Sequence, residues 1–429
     1  MATRMKVKLG DCVNLLAGFP FKSQQFSDKP EDIPLVKGEN VSQGCILWDI
    51  SKRWPESDWE KMEKFHLLPG DVVIAMDRPW IPAGLKWAFI RDGDPKALLV
   101  QRCARLRSSN VCLDQNFLRF VIGGPGFESY VKPITTGVNV PHISGQQILD
   151  FEFLLPPLSI QRRIAGILST YDELIENSQR RIKILESMAR ALYREWFVHF
   201  RYPGSGREDG NEPSPGASRH PLPKVEGFVD SPLGRIPKRW EVKCVSECVD
   251  ISPRVTVPRD GEKPFVPMGC LSNDSMLISN IESRAGNSGA KFQNGDTLFA
   301  RITPCLENGK TGFVQFLPDA QAVGFGSTEF IVLRSRTLTP EFVYLLARSD
   351  EFRGVAIKSM SGATGRQRVQ EQCFNDFQIV QPPRLLLDRF SAIVEPSFRL
   401  IYRLHLQIQK LRQTRDLMLP RLLSGRGIL

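Results

Sequence analysis

The chain has 429 residues, with 57 Lys+Arg against 47 Asp+Glu, a net charge of +10 and a pI near 9.2; such an excess favours a polyanionic partner through phosphate attraction and counterion release. That length supports two or three domains with their own cores, so no disulfide or metal staple is needed. The nine cysteines are odd in number and scattered without a CxxC pair, which argues against a disulfide framework or zinc site and for a reducing cytoplasm.

The opening MATRMKVKLGDC lacks the apolar core of a signal peptide, and no stretch reaches the roughly 18 apolar residues of a membrane span. A soluble, cytoplasmic protein without a membrane partner is expected.

In chain order, residues 1–157 read as short strands and turns with some helix. They contain LPGDVVIAMDRP (Leu68 to Pro79) and RLRSS around Arg105, and close on DFEFLLPP (Asp150 to Pro157). A long helix is expected over 158–198. Its apolar residues Ile164, Leu168, Tyr171, Ile175, Ser178, Ile182, Leu185, Ala189, Leu192 and Trp196 recur in steps of four and three, the a/d seam of a coiled coil. Residues 199–234 include RYPGSGREDGNEPSPGASRHPLP, whose Pro, Gly, Ser and charge read as a flexible linker.

Residues 235–383 then repeat the first plan in order. QNGDTLFARITP (Gln293 to Pro304) matches the earlier GD segment, VLRSR around Arg334 matches RLRSS, and DFQIVQPP (Asp376 to Pro383) matches DFEFLLPP at an offset of 226 positions (Asp150 to Asp376). The loops TTGVNVPHIS and SGATGRQRVQ also correspond loosely. A second long helix is expected over 384–425, with the seam Phe390, Val394, Ser397, Ile401, Leu404, Ile408, Leu411, Arg415, Met418 and Leu422.

One amphipathic stripe would suit a helix packed on its own domain. Two matched seams offer each other a partner, so the interface is expected to use Ile164, Leu168, Ile175, Ile182, Leu185 and Leu192 against Phe390, Val394, Ile401, Ile408, Leu411 and Met418. Because the linker joins the far end of the first helix to the second mixed domain, the second helix should run back antiparallel. The expected architecture is α+β: two mixed α/β domains joined by two long antiparallel coiled-coil helices in a pseudo-twofold internal repeat. Helices of about 35 residues would make a rod on the order of 50 Å long.

Catalytic signatures are weak. The Pro-Pro pairs follow Leu155 and Gln381, not the Asn/Asp-Pro-Pro-aromatic context of a base methyltransferase. Gly324-Phe325-Gly326 is a lone GxG, read as a turn beside a strand. PCLENGKT (Pro304 to Thr311) ends like a phosphate-binding loop but lacks its first glycine and the following helix; Asn308-Gly309 reads as a tight hairpin turn. Asp230, Glu241 and Lys243 loosely imitate a nuclease metal site. His66, His142, His199, His220 and His405 form no spaced cluster. No catalytic or metal site is assigned.

The repeat, the doubled PP-then-helix boundary and the IPKRWEV opening of the second half resemble the specificity subunits of type I restriction-modification systems. LLPPLSIQRRIAGILSTYDELIE and MARALYREWF look like the family's first long helix, and LQIQKLRQTRDLMLPRLLSG like its second. QPPRLLLDRFSAIV departs from the pattern, since Arg384 to Leu387 replace the usual polar start. The resemblance implies a target recognition domain in each half, each reading one part of a bipartite, asymmetric double-stranded DNA site. It implies two methyltransferase (modification) subunits on the helices and separate restriction/translocase subunits. S-adenosylmethionine, ATP and Mg2+ would belong to those partners, and this chain would bind no cofactor. A coiled-coil scaffold and a stand-alone metal-dependent nuclease are the alternatives.

Base reading requires directional donors and acceptors, while Lys and Ser/Thr often position phosphates. Candidate DNA-binding residues in the first half are Lys37, Asn40, Arg78, Trp80, Thr136, Asn139 and His142. In the second half they are Arg301, Thr303, Lys310, Thr364, Arg366, Gln367 and Arg368. The Gly70-Asp71 and Gly295-Asp296 pairs are expected to be structural turns.

Overall fold

The computed structural model describes residues 5–82, 84–109, 112–135, 141–203, 227–363 and 365–424. Its contacts divide the chain into one unit of Met1–Ile175 with Lys410–Leu429 and another of Glu176–Gln409. Both boundaries fall inside the long helices, so each unit holds part of each helix.

In the first unit Val72–Ala75 is an apolar run buried at every residue, the pattern of a strand covered on both faces. It lies between Cys103–Ser108 and Trp87–Phe89, both antiparallel to it; Val13–Ala17 and Gln43–Gly44 complete a five-stranded sheet. A four-stranded sheet follows the order Arg53–Trp54, Ile33–Val36, Ala97–Leu99, His66–Leu67. The repeated DF segment supplies Glu152–Leu155, which pairs with Met5–Lys8 and so ties the unit's start to the root of the helix.

The second unit has the same parts. Thr297–Ala300 is buried throughout and sits between Phe330–Ser335 and Thr311–Phe313, with Val249–Ile251 outermost. Glu241–Cys244 pairs with Gln378–Gln381 from the second DF segment. In each unit two short helices follow the central strands: Gln115–Ile122 and Pro125–Ile134, then Pro340–Ala347 and Asp350–Lys358. The first of each pair starts from a polar cap, where Asp114 accepts from the Phe117 amide and Thr339 from that of Phe342, satisfying one of the free N–H groups of a helix start.

The two GD turns carry the strongest internal likeness. Asp71 and Asp296, about 2% and 1% exposed, each accept a backbone N–H three residues upstream, from Leu68 and Gln293. Each also accepts both edge nitrogens of an arginine. Arg107 reaches Asp71 at 2.5 and 2.8 Å, and Arg334 reaches Asp296 at 2.7 and 2.6 Å.

The long helices span Leu158–Tyr193 and Arg384–Ser424, the first continued by a π turn over Arg194–Val198. Ile164, Leu168, Ile175, Ile182, Phe390, Val394, Ile401 and Ile408 are buried, and Leu185, Leu192, Leu411 and Met418 are half-buried. In the first unit Met418, Leu419 and Leu422 join the core cluster of Ile164 and Leu168. In the second, the rings of Trp196 and Phe197 lie 5.9 and 4.8 Å from that of Phe390. Each unit therefore brings the end of one helix beside the start of the other, and the pair runs antiparallel.

At one matching place the two cores differ. In the first unit Arg119 stacks over Phe89 at 4.5 Å and reaches Asp172 at 3.4 Å, while Arg415 holds the same carboxylate at 2.7 Å. The corresponding positions in the second unit are Tyr344, Phe313 and Phe398, a triangle of edge-on rings with centroids 5.1 to 5.9 Å apart.

Three local expectations need correction. The stretch 199–234 is not linker throughout: Phe228–Ser231 forms a hairpin with Gly234–Pro237, and Tyr202 stacks on Trp240; residues 204–226 lie outside the described residues. Asn308-Gly309 does not make a two-residue hairpin, since the Ala300 amide meets the Lys310 carbonyl and the intervening loop folds into helical turns. Gly324–Gly326 is a strand between Glu262–Val266 and Ala290–Phe292, not a turn. A Cβ on Gly324 would lie 2.4 Å from the Phe292 ring, which explains the glycine by close approach.

No helix among the described residues is long and apolar enough to cross a membrane, and among them no cluster of three or more His, Cys, Asp or Glu is placed to hold a metal ion. Lys243 and Glu241 pair with each other at 2.7 Å, and Asp230 lies in the hairpin opposite Arg235.

Candidate nucleic-acid interface

The turn leaving each central strand meets a later loop through backbone pairing. In the first unit Asp77 bridges His142, the Arg78 amide donates to the Pro141 carbonyl and the Met76 amide donates to the Arg102 carbonyl. In the second, Ile302 bridges Arg368, the Thr303 amide donates to the Gln367 carbonyl and the Arg301 amide donates to the Glu329 carbonyl. The two loops singled out in the sequence are thus joined to the two post-strand turns in one pattern. Arg78 and His142 meet at the first junction, and Arg301, Thr303, Gln367 and Arg368 at the second.

Their side chains fare differently. Arg78 is exposed and has a positive φ of 43°. Trp80 is half-buried against the core, its indole N–H 3.4 Å from the Thr135 hydroxyl. His142 Nδ1 lies 2.5 Å from Asp77, which also accepts from Arg102. Lys37 pairs with Glu39 at 2.9 Å beside the Phe26 ring. Thr136, Asn139 and Thr364 lie outside the described residues. Arg366 is exposed, Gln367 is half-buried, and the Gln367 amide donates to the Thr303 hydroxyl. Arg368 holds Glu329 through Nε and Nη2 at 2.7 to 3.0 Å.

Three assignments do not survive. Asn40 is fully buried: its amide donates to the Leu35 carbonyl and the Ser51 hydroxyl while its carbonyl oxygen accepts the Lys37 amide, so it closes a turn and cannot meet a base edge. Lys310 donates to the Met268 and Leu271 carbonyls, 3.2 Å each. Its charge serves backbone carbonyls, and Lys86, at the matching place in the first unit, likewise donates to the Gly38 carbonyl at 2.5 Å. Arg301 pairs with Glu371 at 2.9 Å and donates to the Val369 carbonyl; it braces its turn.

Residue-by-residue reading of the sequence missed Arg102, Asp77 and Glu329. Arg102 and Glu329 immediately precede the matching strands Cys103–Ser108 and Phe330–Ser335, so aligning the two halves at those strands would have found them. A cleft of about 690 Å3 opens beside this place in the first unit, lined by Lys37, Arg78, Lys86 and Arg102 with Glu39 and Asp77. Four cations against two carboxylates leave the lining positive, which suits a polyanion. Glu329 shows the complementary logic: the Arg368 guanidinium bonded to it holds its carboxyl below the usual range.

Residues 1–187 match the family profile described as the type I restriction modification DNA specificity domain. Over that stretch the chain is similar to the DNA specificity domains of type I restriction-modification systems. The MjaVIII specificity subunit of Methanocaldococcus jannaschii is 28% identical over 186 residues, a match covering 43% of this chain and 43% of that protein's own length. The HindI specificity subunit of Haemophilus influenzae is 21% identical over 448 residues, covering 93% of this chain and 95% of that one. The crystal structure of a type I restriction-modification system S subunit from M. genitalium covers 100% of this chain and 97% of its own at a TM-score of 0.58 and 12% identity, a likeness of fold.

Proposed function

We propose that this chain is the DNA-sequence-reading subunit of a cytoplasmic type I restriction-modification complex and has no catalytic centre of its own. One observation carries the reading: the same framework is built twice, with an arginine clasping a buried aspartate at matching places and matching post-strand junctions, while the exposed side chains at the junctions differ. A protein that reads an asymmetric, two-part site needs this combination of repeated scaffold and unlike reading edges. Each unit would read one half-site, and the two long helices would set the gap between them, with half-sites about one helical turn, roughly 34 Å, apart.

Two modification subunits would dock on this chain and supply adenine methylation from S-adenosylmethionine. Restriction/translocase subunits would supply ATP- and Mg2+-dependent movement and cleavage. The test is modified-base sequencing of the host genome with and without the gene. Loss of one gapped methyladenine motif is the expected result; an unchanged methylation pattern, with the modification subunits still expressed, refutes the proposal.

A further inference from the structure

The junctions described above carry opposite charges at one pair of corresponding positions and place their acid differently. Arg102 in the first unit corresponds to Glu329 in the second, because their carbonyls accept from the equivalent turn amides of Met76 and Arg301. His142 corresponds to Arg368, because each bridges the equivalent turn residue. In the first unit the acid comes from the turn itself, Asp77, and holds both Arg102 and His142. In the second the acid is Glu329, and it holds Arg368.

The acid is the more sheltered member in both. Asp77 and Glu329 side chains are 17% and 22% exposed, against 65%, 42% and 49% for Arg102, His142 and Arg368. A carboxylate beneath a cation fixes the cation's rotamer while leaving donors turned outward. Arg368 uses Nε and one face of Nη2 on Glu329, so its Nη1 edge is the one presented. Arg102 is held through Nη1 alone, which leaves Nε and Nη2. An arginine edge with two N–H groups matches the paired acceptors O6 and N7 of guanine in the major groove.

We infer that this junction is the specificity-determining station of each unit: Arg102 with His142 in the first and Arg368 in the second contact base edges, and Asp77 and Glu329 are the positioning residues that aim them. The inference rests on the DNA-reading function proposed above. It adds Arg102 as a reading residue and gives the acids a role distinct from stability. It also accounts for the contrast between matching Arg–Asp pairs in the framework and the differently placed acid at the station: the framework has one job in both units, whereas the stations must discriminate different bases.

The experiment uses the full chain assembled with its modification subunits and a pool of randomised DNA duplexes, with bound duplexes recovered and sequenced. If the wild-type complex recovers no two-part motif, the DNA-reading proposal fails before the station is tested. Given a motif, Glu329→Gln is expected to lower base preference by roughly tenfold at a position within one half-site, and Asp77→Asn and Arg102→Ala to do so within the other, each sparing the opposite half. Arg368→Lys keeps the charge at an exposed position and loses the two-pronged edge. It should relax the same position as Glu329→Gln with the salt dependence unchanged, and it carries the test should Glu329→Gln fail to fold. Full retention of preference in all four variants, or an equal decline across both half-sites, overturns the assignment.

Discussion

Arg366 stands exposed beside the Arg368 clasp, and among the described residues no partner ties its guanidinium. Arg366→Ala is expected to cost about 1–3 kcal/mol in binding of the assembled methyltransferase to its own site, concentrated at one base position; titrations against single-base variants of that site would check it, and unchanged binding and methylation would remove the assignment. Asp296 is the opposite case, a carboxylate whose work lies inside the protein. Asp296→Asn leaves the half-buried Arg334 without its counter-charge, and losing a hydrogen bond to a charged group costs about 1–3 kcal/mol; urea unfolding should register the loss, with Asp71→Asn showing the same in the first unit. Sequence reading separated these two kinds of polar residue unevenly. The GD turns were recognisable from their residues alone, but their arginine partners lie 36 and 38 positions away. Asn40 resembled an adenine reader because its side chain suits that task, yet it sits three residues after Lys37 and closes that turn by itself. Lys310 looked like a free cation because the carbonyls that absorb it come from a strand-to-strand connection about 40 residues earlier.

At the scale of elements, the four-and-three spacing located both long helices, because a seam buried or half-buried at each step leaves a regular mark on the residues. The π turn at Arg194–Val198 left no such mark, since Trp196 and Phe197 are both buried there and a one-seam pattern accommodates only one of them. Phe390, fully buried against those rings, is a sensitive point: Phe390→Ala should cost about 3–5 kcal/mol, read from denaturant unfolding. The short helix Pro340–Ala347 buries Glu341, whose carboxylate accepts from the Ser391 hydroxyl at 2.9 Å. Burial pushes this carboxyl above the usual glutamate range. A folded-state pKa raised above the unfolded one means that the stabilising contribution is present below the ordinary glutamate pKa and is lost as pH rises through the folded value. Glu341→Gln should therefore raise the melting temperature at pH 8 and give no gain at pH 4.

For the whole molecule, a net charge of +10 predicts binding that weakens steeply with salt, in proportion to the phosphates neutralised. Removing one heptad from both long helices should change the tolerated gap between half-sites while leaving the half-sites alone. Methylation mapping of the variant would check this, and a complex still confined to the original gap would refute the proposal that the helices set it. The repeat itself was legible because four ordered matches in sequence cannot arise from one local likeness. The opposite charges of Arg102 and Glu329 at corresponding positions were not, because they appear only when strand pairing aligns the two halves residue by residue.

The cluster of Arg119, Phe89 and Asp172, with Arg415 on the same carboxylate, and its aromatic counterpart of Tyr344, Phe313 and Phe398 set a rule for building chimaeras. A graft that moved the first globule onto the other half's helical root would press a guanidinium against a phenyl ring and strip it of its carboxylate. Crossover points must therefore travel with the helical root, and a cut made neatly at the Pro-Pro boundary would separate each globule from the side chains that complete its base.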